Sequence, residues 1–171
     1  PWPASTGAVL VPWMRNELSA IVGLKTTSYA ENVFALEAAH KHGFSEALFL
    51  DSKGNLSEGT GSNIFLVQGE TIVTPSERTG LLLGITRELA IEWGRAAGIE
   101  ILERDDLSAT DLWTCDGAFL TSSTRDVQPI SSLAQLSRED SLSNQREVGI
   151  PEVVTRLAKV FREQSHLNPN P

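Results

Sequence analysis

Leu56-Ser57-Glu58-Gly59-Thr60-Gly61-Ser62-Asn63-Ile64-Phe65-Leu66-Val67-Gln68-Gly69-Glu70-Thr71-Ile72-Val73-Thr74-Pro75 holds two signals side by side. Its second half sets apolar runs, residues 63–67 and 71–74, on either side of Gln68-Gly69-Glu70, which predicts a β-hairpin. Its first half places glycines around one carboxylate, Glu58, with Ser57, Thr60, Ser62 and Asn63 offering hydrogen bonds. Glycines in such a place let the backbone come close to another group. A polar loop joining two strands has the same composition, so this stretch alone does not define a site.

Outward from the hairpin, strand and helix patterns are interspersed. Upstream, Glu46-Ala47-Leu48-Phe49-Leu50-Asp51 is a short apolar run suited to a buried strand, and Asp51-Ser52-Lys53-Gly54-Asn55 is a turn by composition. Residues 28–42 repeat Val33, Leu36 and Ala39 or His40 at helical spacing, with Gly43 as the stop. Residues 1–23 hold three prolines and two tryptophans without a clean period. They read as a connection, most clearly at Pro12-Trp13-Met14-Arg15-Asn16-Glu17.

Downstream, residues 85–97 predict a helix with Leu89, Trp93 and Ala96-Ala97 on one face and Gly98 at its end. Residues 99–104 alternate as a strand, residues 109–114 predict one or two helical turns, and residues 117–121 predict a buried strand ending in Ser122-Ser123-Thr124. The polar, Ser-rich residues 135–149 predict a surface loop. Residues 151–164 predict an amphipathic helix with Val153, Leu157, Val160 and Phe161 inward, and residues 166–171 are expected to fray. Hairpins among crossovers predict a mixed α and β fold, not a purely parallel doubly wound sheet.

The 171 residues suit one domain with a sizeable core. Hydrophobic residues at 40% and charged residues at 21% exclude wholesale disorder. A formal charge of −8 argues against a nucleic-acid partner, because phosphate contacts need clustered Lys and Arg. The single Cys115 forms no internal disulfide and favours a reducing compartment. No apolar stretch approaches the ~20 residues of a membrane span, and no signal-peptide pattern is read. The start Pro1-Trp2-Pro3, with Met14 the only methionine, reads as the remainder of a longer chain.

Several residues bear on chemistry. Lys25 follows the mostly apolar Ile21-Val22-Gly23-Leu24, and burial there would favour its neutral, nucleophilic amine. The plain alternative is a lysine whose stem lies along a strand with its head in water. Gly84-Ile85-Thr86-Arg87 marks a helix start, where free backbone N–H groups and the Thr86 hydroxyl suit an anion; simple N-capping is the alternative. Ser122-Ser123-Thr124 offers hydroxyls that either grip a phosphate or close a strand. His40 and His42, two apart on a helix, make a poor metal pair, and no metal is expected.

In order along the chain, Gly23-Leu24-Lys25-Thr26-Thr27-Ser28-Tyr29, Glu46-Ala47-Leu48-Phe49-Leu50-Asp51, Glu58-Gly59-Thr60-Gly61-Ser62-Asn63-Ile64-Phe65, Thr74-Pro75, Leu83-Gly84-Ile85-Thr86-Arg87 and Phe119-Leu120-Thr121-Ser122-Ser123-Thr124 resemble the fold type IV pyridoxal-phosphate enzymes. This is the class IV aminotransferase family, which includes branched-chain and D-amino-acid aminotransferases and aminodeoxychorismate lyase. The resemblance runs from about Arg15 to Leu133.

It implies the large, C-terminal domain of such an enzyme: residues 1–23 as the interdomain connection, 24–165 as the cofactor-binding domain and 166–171 as a tail. It implies pyridoxal 5′-phosphate as cofactor, with Lys25 as the Schiff-base lysine and proton carrier. Glu58 matches the partner of the pyridine nitrogen, and Tyr29 the tyrosine that bonds the phenolic oxygen. Gly61 and Ser62 match positions against the ring face; Ile85, Thr86, Ser122 and Ser123 match the phosphate donors. The family's phosphate-binding arginine comes from an N-terminal portion without counterpart here.

The resemblance further implies a cytoplasmic homodimer that acts on an amino acid and a keto acid by amino transfer. The segment from Arg15 to Asn32 is most similar to aminodeoxychorismate lyase-like members, which makes formation of 4-aminobenzoate and pyruvate the alternative. A non-catalytic truncated domain is the second alternative.

Overall fold

A computed structural model describes residues 4–168. Nine strands and four α-helices follow in the order β1 (Thr6–Arg15), α1 (Ala30–Lys41), β2 (Glu46–Asp51), β3 (Leu56–Gly59), β4 (Asn63–Gln68), β5 (Thr71–Pro75), α2 (Ile85–Ala96), β6 (Ile101–Arg104), α3 (Ala109–Thr114), β7 (Gly117–Ser122), β8 (Asp126–Leu136), β9 (Leu142–Glu147) and α4 (Glu152–Leu167). The strands form one mixed sheet in the order β3-β2-β1-β8-β7-β4-β5-β6, with β9 added against β8. The expected mixed α and β architecture is present, and β4–β5 is the expected antiparallel hairpin, with Leu66 opposite Val73.

The largest correction concerns residues 1–23. The structure places Thr6–Arg15 as a strand in the middle of the sheet, parallel to both β2 and β8. Ala8 and Leu10 enter one core cluster while Val9 and Val11 enter another on the opposite face. A strand covered on both faces reads as a continuous apolar run, without the alternation that betrays a half-buried one. Pro12 lacks a backbone N–H, and the β1–β2 register slips between Leu10 and Met14, where it sits.

The expected loop over residues 135–149 is also corrected: Leu142–Glu147 forms β9, antiparallel to β8. Its polar sequence, Leu-Ser-Asn-Gln-Arg-Glu, lies at the surface, so its pairing depends on β8 rather than on a buried face of its own. Arg146 anchors it by donating to the carbonyls of Trp113 and Cys115, both at 2.6 Å.

The helices cover the sheet with faces that differ in part from expectation. In α1 the buried positions are Ala35 and Ala39, whereas Val33 is 63% exposed. In α2 the inward face is Thr86, Arg87, Ala90, Ile91 and Gly94; Leu89 and Trp93 pack at its margin, and Ala96 is exposed. The α4 prediction holds at Val153, Leu157 and Phe161, with Val154 also buried and Val160 half-buried. This helix continues to Leu167, so no fraying begins at His166; residues 169–171 lie outside the described residues.

Between α2, α4 and the sheet, the directly opposed Phe65 and Phe119 stack with ring centroids 4.7 Å apart. Among the described residues no helix is long and apolar enough to cross a membrane.

Candidate active site

The ends of β3 and β7, the start of α2 and the segment between β1 and α1 meet around one cleft of about 380 Å³. The nine residues that the resemblance assigns to cofactor binding all line it: Lys25, Tyr29, Glu58, Gly61, Ser62, Ile85, Thr86, Ser122 and Ser123. Asn32, Thr60, Asn63, Leu82, Gly84 and Thr121 are among the other residues of the wall.

At one end stands Glu58, on β3. Its Oε2 accepts the Leu82 N–H at 2.9 Å, and its Oε1 lies 3.2 Å from Arg15 Nε. The side chain is 13% exposed, and burial pushes its carboxyl up from 4.5 to about 7; the Leu82 N–H and the Arg15 guanidinium act against that rise without cancelling it. Desolvation dominates because neither partner restores full hydration.

Lys25 lies on the segment between β1 and α1, which runs through turns at residues 16–24 and Gly23 at φ +71°. The expected burial by its apolar neighbours is corrected: Lys25 is exposed, and Ile21 and Leu24 are 53% and 63% exposed. Its Nζ donates to Tyr29 Oη at 3.4 Å. Tyr29 immediately precedes α1, so the helix start fixes its position relative to the lysine.

At the other end, α2 opens at Gly84 with no side-chain cap, which leaves the first N–H groups of the helix free for an anion. Asn63 Nδ2 donates to the Leu82 carbonyl at 2.8 Å and holds the approach to that helix. A Cβ at position 84 would fall 2.3 Å from Asn63 Oδ1, so a side chain there would push the Asn63 amide from its place. Ser122, the last residue of β7, and Ser123, in the turn after it, bring hydroxyls.

Thr121 Oγ1, in the same wall, is buried without a hydrogen-bond partner. An orphaned hydroxyl, an uncapped helix start and two serines form a donor set suited to a phosphate, while a buried carboxylate at the far end suits a protonatable ring nitrogen. The residues present fit a phosphorylated heteroaromatic cofactor.

Three contributors escaped the sequence. Arg15, read within a connection, pairs with Glu58 and donates Nη1 to Asn32 Oδ1 at 3.1 Å. Asn32 Nδ2 in turn donates to the Thr60 carbonyl at 2.6 Å. Glu46, read as the first residue of a strand, is 1% exposed beneath residues 60–62. Only the motif around each hinted at a role, because their partners are brought in by the fold.

Comparison with known proteins places this geometry in context. The family profile described as Amino-transferase class IV matches residues 1–133. The chain is 33% identical over 140 residues to a Methanocaldococcus jannaschii protein assigned as a branched-chain-amino-acid aminotransferase, covering 82% of this chain and 46% of that protein. It is 33% identical over 124 residues to aminodeoxychorismate lyase of Bacillus subtilis, covering 72% and 42% respectively. Among solved structures, the branched-chain amino acid aminotransferase of Thermobaculum terrenum in its pyridoxal-phosphate form superposes with a TM-score of 0.79 at 29% identity, over 94% of this chain and 50% of that one. The chain thus spans about half the length of these proteins.

Proposed function

From the premise that the chain belongs to the class IV amino-transferase family, we propose that the cleft binds pyridoxal 5′-phosphate and that this chain is the cofactor-binding domain of an enzyme moving an amino group between an amino acid and a keto acid. One observation carries the reading: a single cleft collects an amine, a buried carboxylate and a phosphate-type donor set, the groups that such a cofactor requires.

The cofactor, when bound, supplies an electron sink for the bond-breaking at the substrate's α-carbon. Lys25 supplies the amine that holds it covalently and later carries the proton at that carbon. Tyr29, beside the lysine, orients the amine through its hydroxyl. Glu58 holds a proton on the ring nitrogen by presenting a carboxylate against it. The α2 start, with Ile85 and Thr86, and Ser122 with Ser123 hold the phosphate. Gly61 leaves an open face in the cleft, where no atom lies within 4 Å of its would-be Cβ.

The test is a titration of the chain with pyridoxal 5′-phosphate followed by borohydride reduction and peptide mapping. A pyridoxyl group fixed on Lys25 supports the reading; no fixation, or fixation spread over surface lysines, overturns it. The amino-transfer step is tested with branched-chain amino acids and 2-oxoglutarate.

A second reading is favoured by the Bacillus subtilis relative, which matches at the same identity as the aminotransferase. In that reading the same lysine serves a lyase that releases pyruvate from aminodeoxychorismate, and pyruvate release separates the two. A homodimer in the cytoplasm belongs to either reading. Sedimentation of the chain with and without cofactor tests the dimer.

A further inference from the structure

The cleft wall is built from two stretches far apart in sequence, residues 60–62 and residues 122–125, and one carboxylate behind them meets both. Glu46 Oε1 accepts the Thr60 N–H at 2.9 Å, its own neighbour Ala47 N–H at 3.1 Å, and the Thr60 hydroxyl. Its Oε2 accepts the Ser62 hydroxyl at 2.8 Å and lies 3.4 Å from Arg125 Nη1. Arg125 Nη2 donates to the Ser45 carbonyl at 3.1 Å, which returns the turn after β7 to the start of β2.

Glu46 is not part of the cleft lining. It lies on the far side, where Glu46, Thr60, Gly61, Thr124 and Arg125 border a smaller recess. A Cβ on Gly59 would fall 2.4 Å from Ser62 Oγ and 3.0 Å from Glu46 Cδ, so a side chain at 59 would crowd the Ser62–Glu46 contact. A carboxylate this deeply buried persists only with its lone pairs satisfied and a cation at hand, and all of these partners belong to the two stretches or to the base of β2.

We propose that Glu46 is a positioning residue for the cofactor cleft: its carboxylate ties the loop at residues 60–62 to the turn at residues 122–125, through Arg125, so that the wall at the ring and the phosphate-binding hydroxyls keep a fixed separation. The proposal rests on the pyridoxal-phosphate reading of the cleft for its purpose, though not for the tie itself.

Amide exchange by NMR on the cofactor-free chain reads the tie directly. Two reporters are the Thr60 N–H, bonded to Glu46 and to the Ala47 carbonyl, and the Arg125 N–H, bonded to the Ser122 carbonyl. In Glu46→Gln, exchange at both reporters is expected to rise about tenfold while amides of α4 keep their rates. The milder Thr60→Val, which keeps every charge, is expected to raise both by a smaller factor and decides the matter if Glu46→Gln does not fold.

A rise at Thr60 alone, or at neither reporter, overturns the tie. Titration with pyridoxal 5′-phosphate then reads the purpose: Kd is expected to rise about tenfold in Glu46→Gln, with the absorption band of the bound form unmoved. Loosened reporters with an unchanged Kd overturn the positioning role. If the unsubstituted chain takes up no cofactor, the cofactor reading fails while the exchange pattern still judges the tie.

Discussion

Arg15 Nε lies 3.2 Å from Glu58 Oε1, which joins the central strand of the sheet to the buried carboxylate of the cleft. The pair is nearly buried, with 15% and 13% of the two side chains exposed, and it continues through Asn32 to the carbonyl of Thr60. The site is therefore fixed from below by the sheet itself, and each part of it can be tested separately.

The carboxyl of Glu58, raised by burial from 4.5 to about 7, gives a pH signature in the cofactor-free chain. Between those values the folded state holds the proton more tightly than the unfolded state, so this group's contribution is full below about pH 4.5 and is lost as the pH rises through 7. Glu58→Gln removes the titration. Its stability relative to the unsubstituted chain is expected to improve from pH 4.5 to 7.5, by at most on the order of 3 kcal/mol. Urea unfolding at the two pH values measures this, and a constant difference contradicts it.

Removing the cation should act on the same carboxyl. Arg15→Gln takes away an attraction that opposes the rise, so Glu58 is expected to titrate higher still. Carboxyl carbon NMR of the two proteins reads the direction; a fall or no movement would refute it.

Lys25 is exposed, so Lys25→Ala is expected to leave unfolding within about 0.5 kcal/mol of the unsubstituted chain. The same substitution is expected to abolish borohydride fixation of the cofactor. A large loss of stability would mean the lysine does structural work that its surroundings do not reveal.

The donor set at the other end should show in affinity. Thr86→Val and Ser123→Ala each remove one hydroxyl and are expected to raise the Kd for pyridoxal 5′-phosphate about 5–10-fold. Inorganic phosphate is expected to compete with the cofactor in the unsubstituted chain, and absence of competition would remove the phosphate role from this end of the cleft.

Phe119 is fully buried and stacked on Phe65 between the sheet and its helices. Phe119→Ala is expected to cost about 3–5 kcal/mol through lost burial and the cavity it leaves. Thermal and urea unfolding check the value.

The sequence made the local features legible. The hairpin at Gln68-Gly69-Glu70, the buried runs of β2 and β7 and the helix beginning at Ile85 each carry their pattern within a dozen residues. What escaped depends on partners supplied from afar. Thr6–Arg15 hid its strand because both its faces are covered, and Leu142–Glu147 hid its own because neither face supplies an apolar stripe. Val33 kept helical spacing yet faces out, and the helix instead buries Ala35 and Ala39.

The same division runs through the site. Lys25, Glu58, Thr86 and Ser123 stand in local motifs, and the fold brings them to one cleft. Arg15, Asn32, Glu46 and Arg125 work through contacts with distant segments, and no local pattern announces such contacts. The exposure of Lys25 likewise depends on how the segment between β1 and α1 lies, which its apolar composition does not determine.

The central strand sets a timetable for assembly. β1 stands between β2, which follows it soon in the chain, and β8, whose Ile130 pairs with Thr6 and Gln135 with Leu10. As the polypeptide leaves the ribosome, one edge of β1 keeps its N–H and C=O groups on water, without a strand partner, until residues 130–135 emerge. Such long-range closure is slow, and an open edge with apolar faces can recruit a neighbouring chain in the meantime. The strand that underpins the finished cleft through Arg15 thus also carries a late-closing edge during synthesis.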